Sequence, residues 1–115
     1  MASYLITGCS RGLGLALTTH LLTFPSSEIG TIIATSRTQS PALKSLVSNS
    51  DGRVVYIQLD TTDEYSIKSA VIEAEKVLGE KGLDVLINNA GILRFAPDGI
   101  ASMYFFLLWS FLMKG

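Results

Sequence analysis

Hydrophobic and polar positions alternate along this chain in two rhythms. Tyr4-Leu5-Ile6 is a short apolar run, and Ser3 to Thr7 reads as a first strand. Leu13, Ala16, Leu17 and Leu21 then recur three and four apart, which predicts a helix burying that face. Pro25 and Ser26-Ser27 end it. Thr31 to Thr35 is a second strand, nearly continuous in apolar residues, as in a parallel strand covered on both faces. Ser40 reads as an N-cap with Pro41 at the first helical position, opening a short helix that carries Ala42, Leu43, Leu46 and Val47. Asn49-Ser50-Asp51-Gly52 is a turn cluster. Val54 to Leu59 is a third strand, ending at Asp60. Thr61 and Glu64, three apart, fit a capping box. In the helix that follows, Ile67, Ala70, Val71, Ala74, Val77 and Leu78 share one face. Gly79 and Gly82 bracket its stop, and Leu83 to Ile87 is a fourth strand running into Asn88-Asn89-Ala90-Gly91.

Strand and helix alternate four times, so a parallel α/β sheet is the economical architecture. Right-handed crossovers place a ligand crevice at the C-terminal ends of such strands. Four polar stretches fall at those ends: Thr7 to Gly14, Ser36-Arg37, Asp60, and Asn88 to Gly91. The first is strand, glycine-rich turn, helix. A helix N-terminus carries unpaired N–H groups and about half a positive charge, which favours a bound phosphate. Gly8 can take the angles of a tight turn, Gly12 has no side chain to hold a pyrophosphate off the backbone, and Gly14 lets helix and strand pack closely. The spacing T-G-x-x-x-G-x-G differs from the dinucleotide fingerprint G-x-G-x-x-G, and glycine turns also close strand–helix junctions with no ligand. Polar groups at every neighbouring strand end favour the cofactor.

Composition narrows the picture further. The 115 residues amount to one domain or part of one; 48% are apolar and 17% charged, which is globular. A net charge of −1 leaves no basic field for nucleic acid. One cysteine, Cys9, excludes an internal disulfide framework and a multi-cysteine metal site, and no metal is expected. His20 has no ligand partner at metal spacing and reads as a surface residue. The N-terminus lacks a basic n-region, so no signal peptide is expected, and a cytoplasmic location is.

Thr7-Gly8-Cys9-Ser10-Arg11-Gly12-Leu13-Gly14, then Asp60, then Asn88-Asn89-Ala90-Gly91 resemble, in order, three motifs of the short-chain dehydrogenase/reductase family. The wording of the first is similar to the carbonyl-reductase-like branch that includes C-factor and sniffer proteins. The resemblance covers roughly residues 3 to 95. It implies a Rossmann-type doubly wound parallel sheet, here truncated after about four strands; the apolar C-terminal helical tail that follows departs from the family's pattern. It divides the chain into a cofactor-binding part, 1–96, and a divergent tail, 97–115. It implies an oxidoreductase that, in a complete member, passes hydride between NADP(H) and a carbonyl or alcohol. Ser10 to Leu13 would hold the pyrophosphate, Asp60 would accept from the adenine amino group, and Asn88 to Gly91 would wall the adenosine and steady the central strands. Two alternatives stay open: Asp60 begins a turn, and Asn89 pairs with loop backbone.

Charge bears on the choice of cofactor. A carboxylate at the end of the second strand would bind the ribose 2′-hydroxyl of NAD and repel a 2′-phosphate. That place holds Ser36 and Arg37, and Arg11 stands in the glycine turn. Two guanidinium groups suit one phosphate, so NADP(H) is expected over NAD(H). Arg37 as a solvated surface charge is the alternative.

The family's catalytic pair is a Tyr with a Lys four residues on, beside a Ser. Tyr4 is followed at that distance by Gly8, Tyr56 by Asp60, Tyr65 by Ser69 and Tyr104 by Leu108, and the only lysine after the fourth strand is Lys114. No catalytic residue is therefore assigned, and a non-catalytic NADP(H)-binding or interaction fragment is the alternative function. From 100 to 113 the chain is apolar except at Ser102 and Ser110. As a helix it would span about 21 Å against a bilayer core of about 30 Å. It would cover the sheet, mediate self-association or membrane contact, or come from an altered reading frame. The last is the favoured origin and the first the favoured conformation. Ending after four strands would also leave the fourth strand as an edge and forgo burial of apolar side chains.

Overall fold

The computed structural model describes residues 1–89. Ala90, Gly91 and the tail from 97 to 115 lie outside the described residues. Four parallel strands form the sheet: β1 (Ala2–Ile6), β2 (Ile29–Ser36), β3 (Val54–Gln58) and β4 (Val85–Ile87), in the order β3-β2-β1-β4. Three helices connect them: α1 (Gly12–Leu21), α2 (Pro41–Ser48) and α3 (Glu64–Leu78), the last followed by a 3-10 turn at Gly79–Lys81. Leu5 stands beside Ile33 on one side and Leu86 on the other, and Ile33 beside Val55. The predicted order of elements holds throughout. Strand ends move by one or two residues, β2 being longer than expected and β4 shorter.

Alternation along the strands splits the core in two. Leu5, Ile33 and Ile57 face α3 and pack on Ile67, Ala70, Val71 and Ala74. Ile6, Ile32, Ala34 and Val54 face the other way and pack on Leu21 of α1 and Leu43 of α2. Helices therefore cover both faces, and the sheet is doubly wound. Ser40 caps α2 by accepting from the Leu43 N–H, with Pro41 at the start, as expected. Asp51 and Gly52 both take positive φ in the predicted turn before β3.

Two local expectations fail. The buried face of α1 is Gly14, Thr18 and Leu21, not the stripe through Leu13, Ala16 and Leu17. Leu17 is half-buried, Ala16 is exposed, and Leu13 is 72% exposed. Close approach decides it: a Cβ on Gly14 would lie 2.1 Å from the Gly8 carbonyl oxygen, so this residue must face the turn and the helix rotates to suit. The second failure is the capping box at Thr61 and Glu64. The N-cap is Asp63, whose carboxylate accepts from the Tyr65 N–H at 3.0 Å. Asp60 has already drawn the chain into its own turn by accepting from the Thr62 N–H, which moves the helix start two residues on. On α3 the apolar stripe also ends early, with Val77 exposed and Leu78 half-buried.

Candidate functional site

The C-terminal ends of β1, β2 and β3 open into one cavity of about 560 Å³, within the usual range for a small-molecule site. Its wall includes Gly8, Ser10 and Arg11 from the glycine turn and Ser36, Arg37, Thr38 and Ser40 from the end of β2. Leu59 to Thr62 supply the β3 side, and Thr7 and Asn89 the inner edge.

The glycine turn is built as its sequence requires. Gly8 sits at φ +70° and Gly12 at φ +60°, both in the left-handed region. A Cβ on Gly12 would meet no atom within 4 Å, so the backbone there faces open space. Arg11 is extended and precedes α1 without capping it, and the first turn of α1 holds no acidic residue. Ser40 caps α2 and Asp63 caps α3. Of the three described α-helices, α1 alone has no side-chain cap at its N-terminus. That end carries the positive side of the helix dipole.

The β2 side is held by hydroxyls. Ser10 Oγ donates to Ser36 Oγ at 2.7 Å, and Ser36 Oγ donates to the Thr38 carbonyl at 2.8 Å. Ser40 Oγ donates to the Ser10 carbonyl. These bonds fasten the loop after β2 to the glycine turn, with exposed Arg11 on one bank and exposed Arg37 on the other. At the β3 side, Asp60 Oδ1 accepts from the Thr62 N–H at 3.0 Å and from Thr62 Oγ1 at 2.6 Å. The Thr62 hydroxyl holds the Asp60 carboxyl below its ordinary range, and Arg37 adds a weaker pull in the same direction. Oδ2 makes no hydrogen bond among the described residues.

At the inner edge, Asn88 Oδ1 accepts from Thr7 Oγ1 at 3.3 Å, while the Asn89 N–H donates back to Thr7 Oγ1 at 2.9 Å. Asn89 Nδ2 donates to the Gly8 carbonyl at 3.3 Å. The end of β4 thus locks the glycine turn in place. Cys9 lies beneath it, fully buried, and burial pushes its thiol pKa up.

Of the residues expected at the site, Gly8, Ser10, Arg11, Ser36, Arg37 and Asp60 do line the cavity. Gly12 and Leu13 stand exposed at the helix start, and Gly14 is buried against the turn. Asn88 braces β1 from outside the cavity wall, while Asn89 lies in the wall. Both open alternatives describe real contacts: Asp60 begins a turn, and Asn89 pairs with Gly8 backbone. Thr38, Thr61 and Thr62 also line the cavity, although the sequence assigns none of them to the site and marks Thr61 only as a helix cap. Their only signal was adjacency to Arg37 and Asp60.

The sequence profile of the short chain dehydrogenase family matches residues 3–103. The chain belongs to the short-chain dehydrogenase family. The match runs past residue 95, where the likeness of the motifs was expected to end. Among curated relatives, a short-chain dehydrogenase/reductase from Aspergillus aculeatus, AacuF, is 42% identical over 94 residues, covering 81% of this chain and 34% of its own. A carbonyl reductase from chicken fatty liver, solved with NADPH bound, superposes with a TM-score of 0.78 at 28% identity, covering 99% of this chain and 48% of its own. The carbonyl reductase Sniffer of D. melanogaster gives a TM-score of 0.71 at 37% identity, over 80% of this chain and 37% of that one. The chain spans about a third of the length of the curated relatives it matches. This short-chain dehydrogenase chain thus carries the Rossmann-type N-terminal part of the family fold.

Proposed function

We propose that this chain is the cofactor-binding part of an oxidoreductase and that it takes NADP(H) in preference to NAD(H). The observation that carries the reading is the cavity where uncapped α1 begins, with Arg11 and Arg37 on its banks and no carboxylate at the end of β2. The residues fit the group. The α1 amides and the open backbone at Gly12 suit a pyrophosphate. Asp60 Oδ2, directed by the Thr62 contacts on Oδ1, suits an adenine amino group. Arg11 and Arg37 suit a 2′-phosphate, each able to make charge-assisted bonds. The NADPH-bound carbonyl reductase among the similar structures supports the same choice.

A bound nicotinamide supplies hydride chemistry toward a carbonyl or alcohol. No tyrosine in these 115 residues has a lysine four positions on, so the role proposed for this chain is to bind and orient the cofactor.

The test is a titration of the purified chain with NADPH and NADH, followed by nicotinamide fluorescence. NADPH should bind roughly tenfold or more tightly than NADH, the worth of one charged hydrogen bond or more. Arg37→Asp should abolish that preference. Equal affinity for the two cofactors, or a preference unmoved by Arg37→Asp, would overturn the reading.

A further inference from the structure

Tyr56 stands in β3, outside the cavity wall, yet its hydroxyl is committed to the cavity's edge. The phenol donates to the Ser36 carbonyl at 3.0 Å, and its oxygen lies 3.3 Å from Ser36 Oγ. The Ser36 carbonyl also accepts from the Leu59 N–H at 2.9 Å. Two donors from the β3 segment thus hold the last residue of β2. The next residue is Arg37, which is exposed and joins no ion pair among the described residues. Its side chain meets the Asp60 carboxylate only through a weak electrostatic pull, short of an ion pair. Its place is set by where β2 ends and how the loop leaves.

The hydroxyl chain extends that hold. Ser36 Oγ accepts from Ser10, the residue before Arg11, and donates to the Thr38 carbonyl, just beyond Arg37. Tyr56, Ser36 and Ser10 therefore join the middle of β3, the end of β2 and the glycine turn after β1 through neutral donors. Arg11 and Arg37, the two guanidinium groups that the NADP(H) reading assigns to a 2′-phosphate, are each one residue from a member of this chain. Packing alone does not ask for a phenol at this position. The ring is half-buried against the cluster of Ile32, Ala34 and Leu43, which Phe would fill equally.

We propose that Tyr56 is a positioning residue for cofactor choice: through Ser36 and Ser10 its hydroxyl sets the separation of Arg11 and Arg37 across the 2′-phosphate. This rests on the NADP(H) reading above. A group acting only on the arginine pair affects the cofactor that carries the 2′-phosphate and spares the one that lacks it. That differential is absent from a merely structural role.

The experiment measures NADPH and NADH dissociation constants for the full chain, for Tyr56→Phe and for Val55→Ala. Val55 neighbours Tyr56 but packs on the opposite face of the sheet, toward α3, so its truncation loosens β3 without touching the hydroxyl chain. Tyr56→Phe should weaken NADPH by about three- to tenfold, the worth of one buried hydrogen bond, and leave NADH within about twofold. Val55→Ala should leave the ratio of the two constants unchanged. Tyr56→Leu, which also loses ring packing, should show the same change in ratio at a lower melting temperature. An unchanged ratio in Tyr56→Phe, or the same shift in Val55→Ala, would overturn the inference while the NADP(H) preference of the unsubstituted chain stood. A chain with no such preference would overturn the cofactor reading first, and this inference with it.

Discussion

Gly14→Ala should destabilise the chain, although helix propensity alone predicts the reverse. Within α1 an alanine is favoured over glycine by about 1 kcal/mol. Its Cβ, however, would lie 2.1 Å from the Gly8 carbonyl oxygen, 2.8 Å from the Gly8 carbonyl carbon and 2.6 Å from Asn89 Nδ2. Two of these are backbone atoms of a turn held at φ +70°. Neither can rotate aside. To reach ordinary contact α1 would retreat by more than roughly 1 Å, opening the packing of Thr18 and Leu21 on the sheet. Overpacking of this kind costs about 1–3 kcal/mol or more. A backbone neighbour puts this case at the upper end, for a net loss of about 2 kcal/mol after the propensity gain. In a domain of this size that lowers the melting temperature by on the order of 10 °C. Urea unfolding followed by far-ultraviolet circular dichroism gives the comparison directly. The sign decides: a midpoint equal to or above that of the unsubstituted chain would refute the close approach of helix and turn.

Three further outcomes follow from particular contacts. Cys9 is fully buried with a raised pKa, so a thiol reagent at neutral pH should label it only as fast as the fold opens, and labelling should rise along the urea transition. The Asp60 carboxyl is depressed in the folded state, so its contribution to stability is present above the ordinary carboxylate range and is lost as pH falls through the depressed value. Asp60→Asn should therefore cost stability at pH 7, and the gap from the unsubstituted chain should close in strong acid; a gap independent of pH would contradict this. Arg53 donates to the carbonyls of Leu22, Phe24 and Ile29, binding the exit from α1 to the approach to β2. Arg53→Ala should cost about 2 kcal/mol in urea unfolding, and Arg53→Lys, which lacks the planar fork, should recover less than half.

The strands were legible because their apolar runs are short, nearly continuous and punctuated by turn residues. The third glycine was legible too, but its effect on the helix was not. A three-and-four spacing through Leu13, Ala16, Leu17 and Leu21 is a valid helical face; only the distance from Gly14 to the Gly8 carbonyl selects the neighbouring face. At the start of α3 the capping-box spacing competed with two aspartates, and local hydrogen bonding by Asp60 and Asp63 won. The arginines at the site stood out by the absence of a carboxylate after β2. Ser36 stood out with them, but its partnership with the Tyr56 hydroxyl did not, since that spans 20 residues and depends on the register of β2 with β3.

The position of β1 between β2 and β4 sets an order of assembly. β1 meets β2 across a short stretch of chain, but its pairing with β4 joins residues 81 apart, from Ser3 with Asp84 to Gly8 with Asn89. Closing so long a loop is entropically dearer than closing the β1–β2 or β2–β3 loops, and contacts of that separation form slowly. During synthesis the first motif of the chain leaves the ribosome long before the asparagine that fastens it. The glycine turn is thus made well before the contacts that secure it, and the cavity it lines is complete only once β4 has arrived.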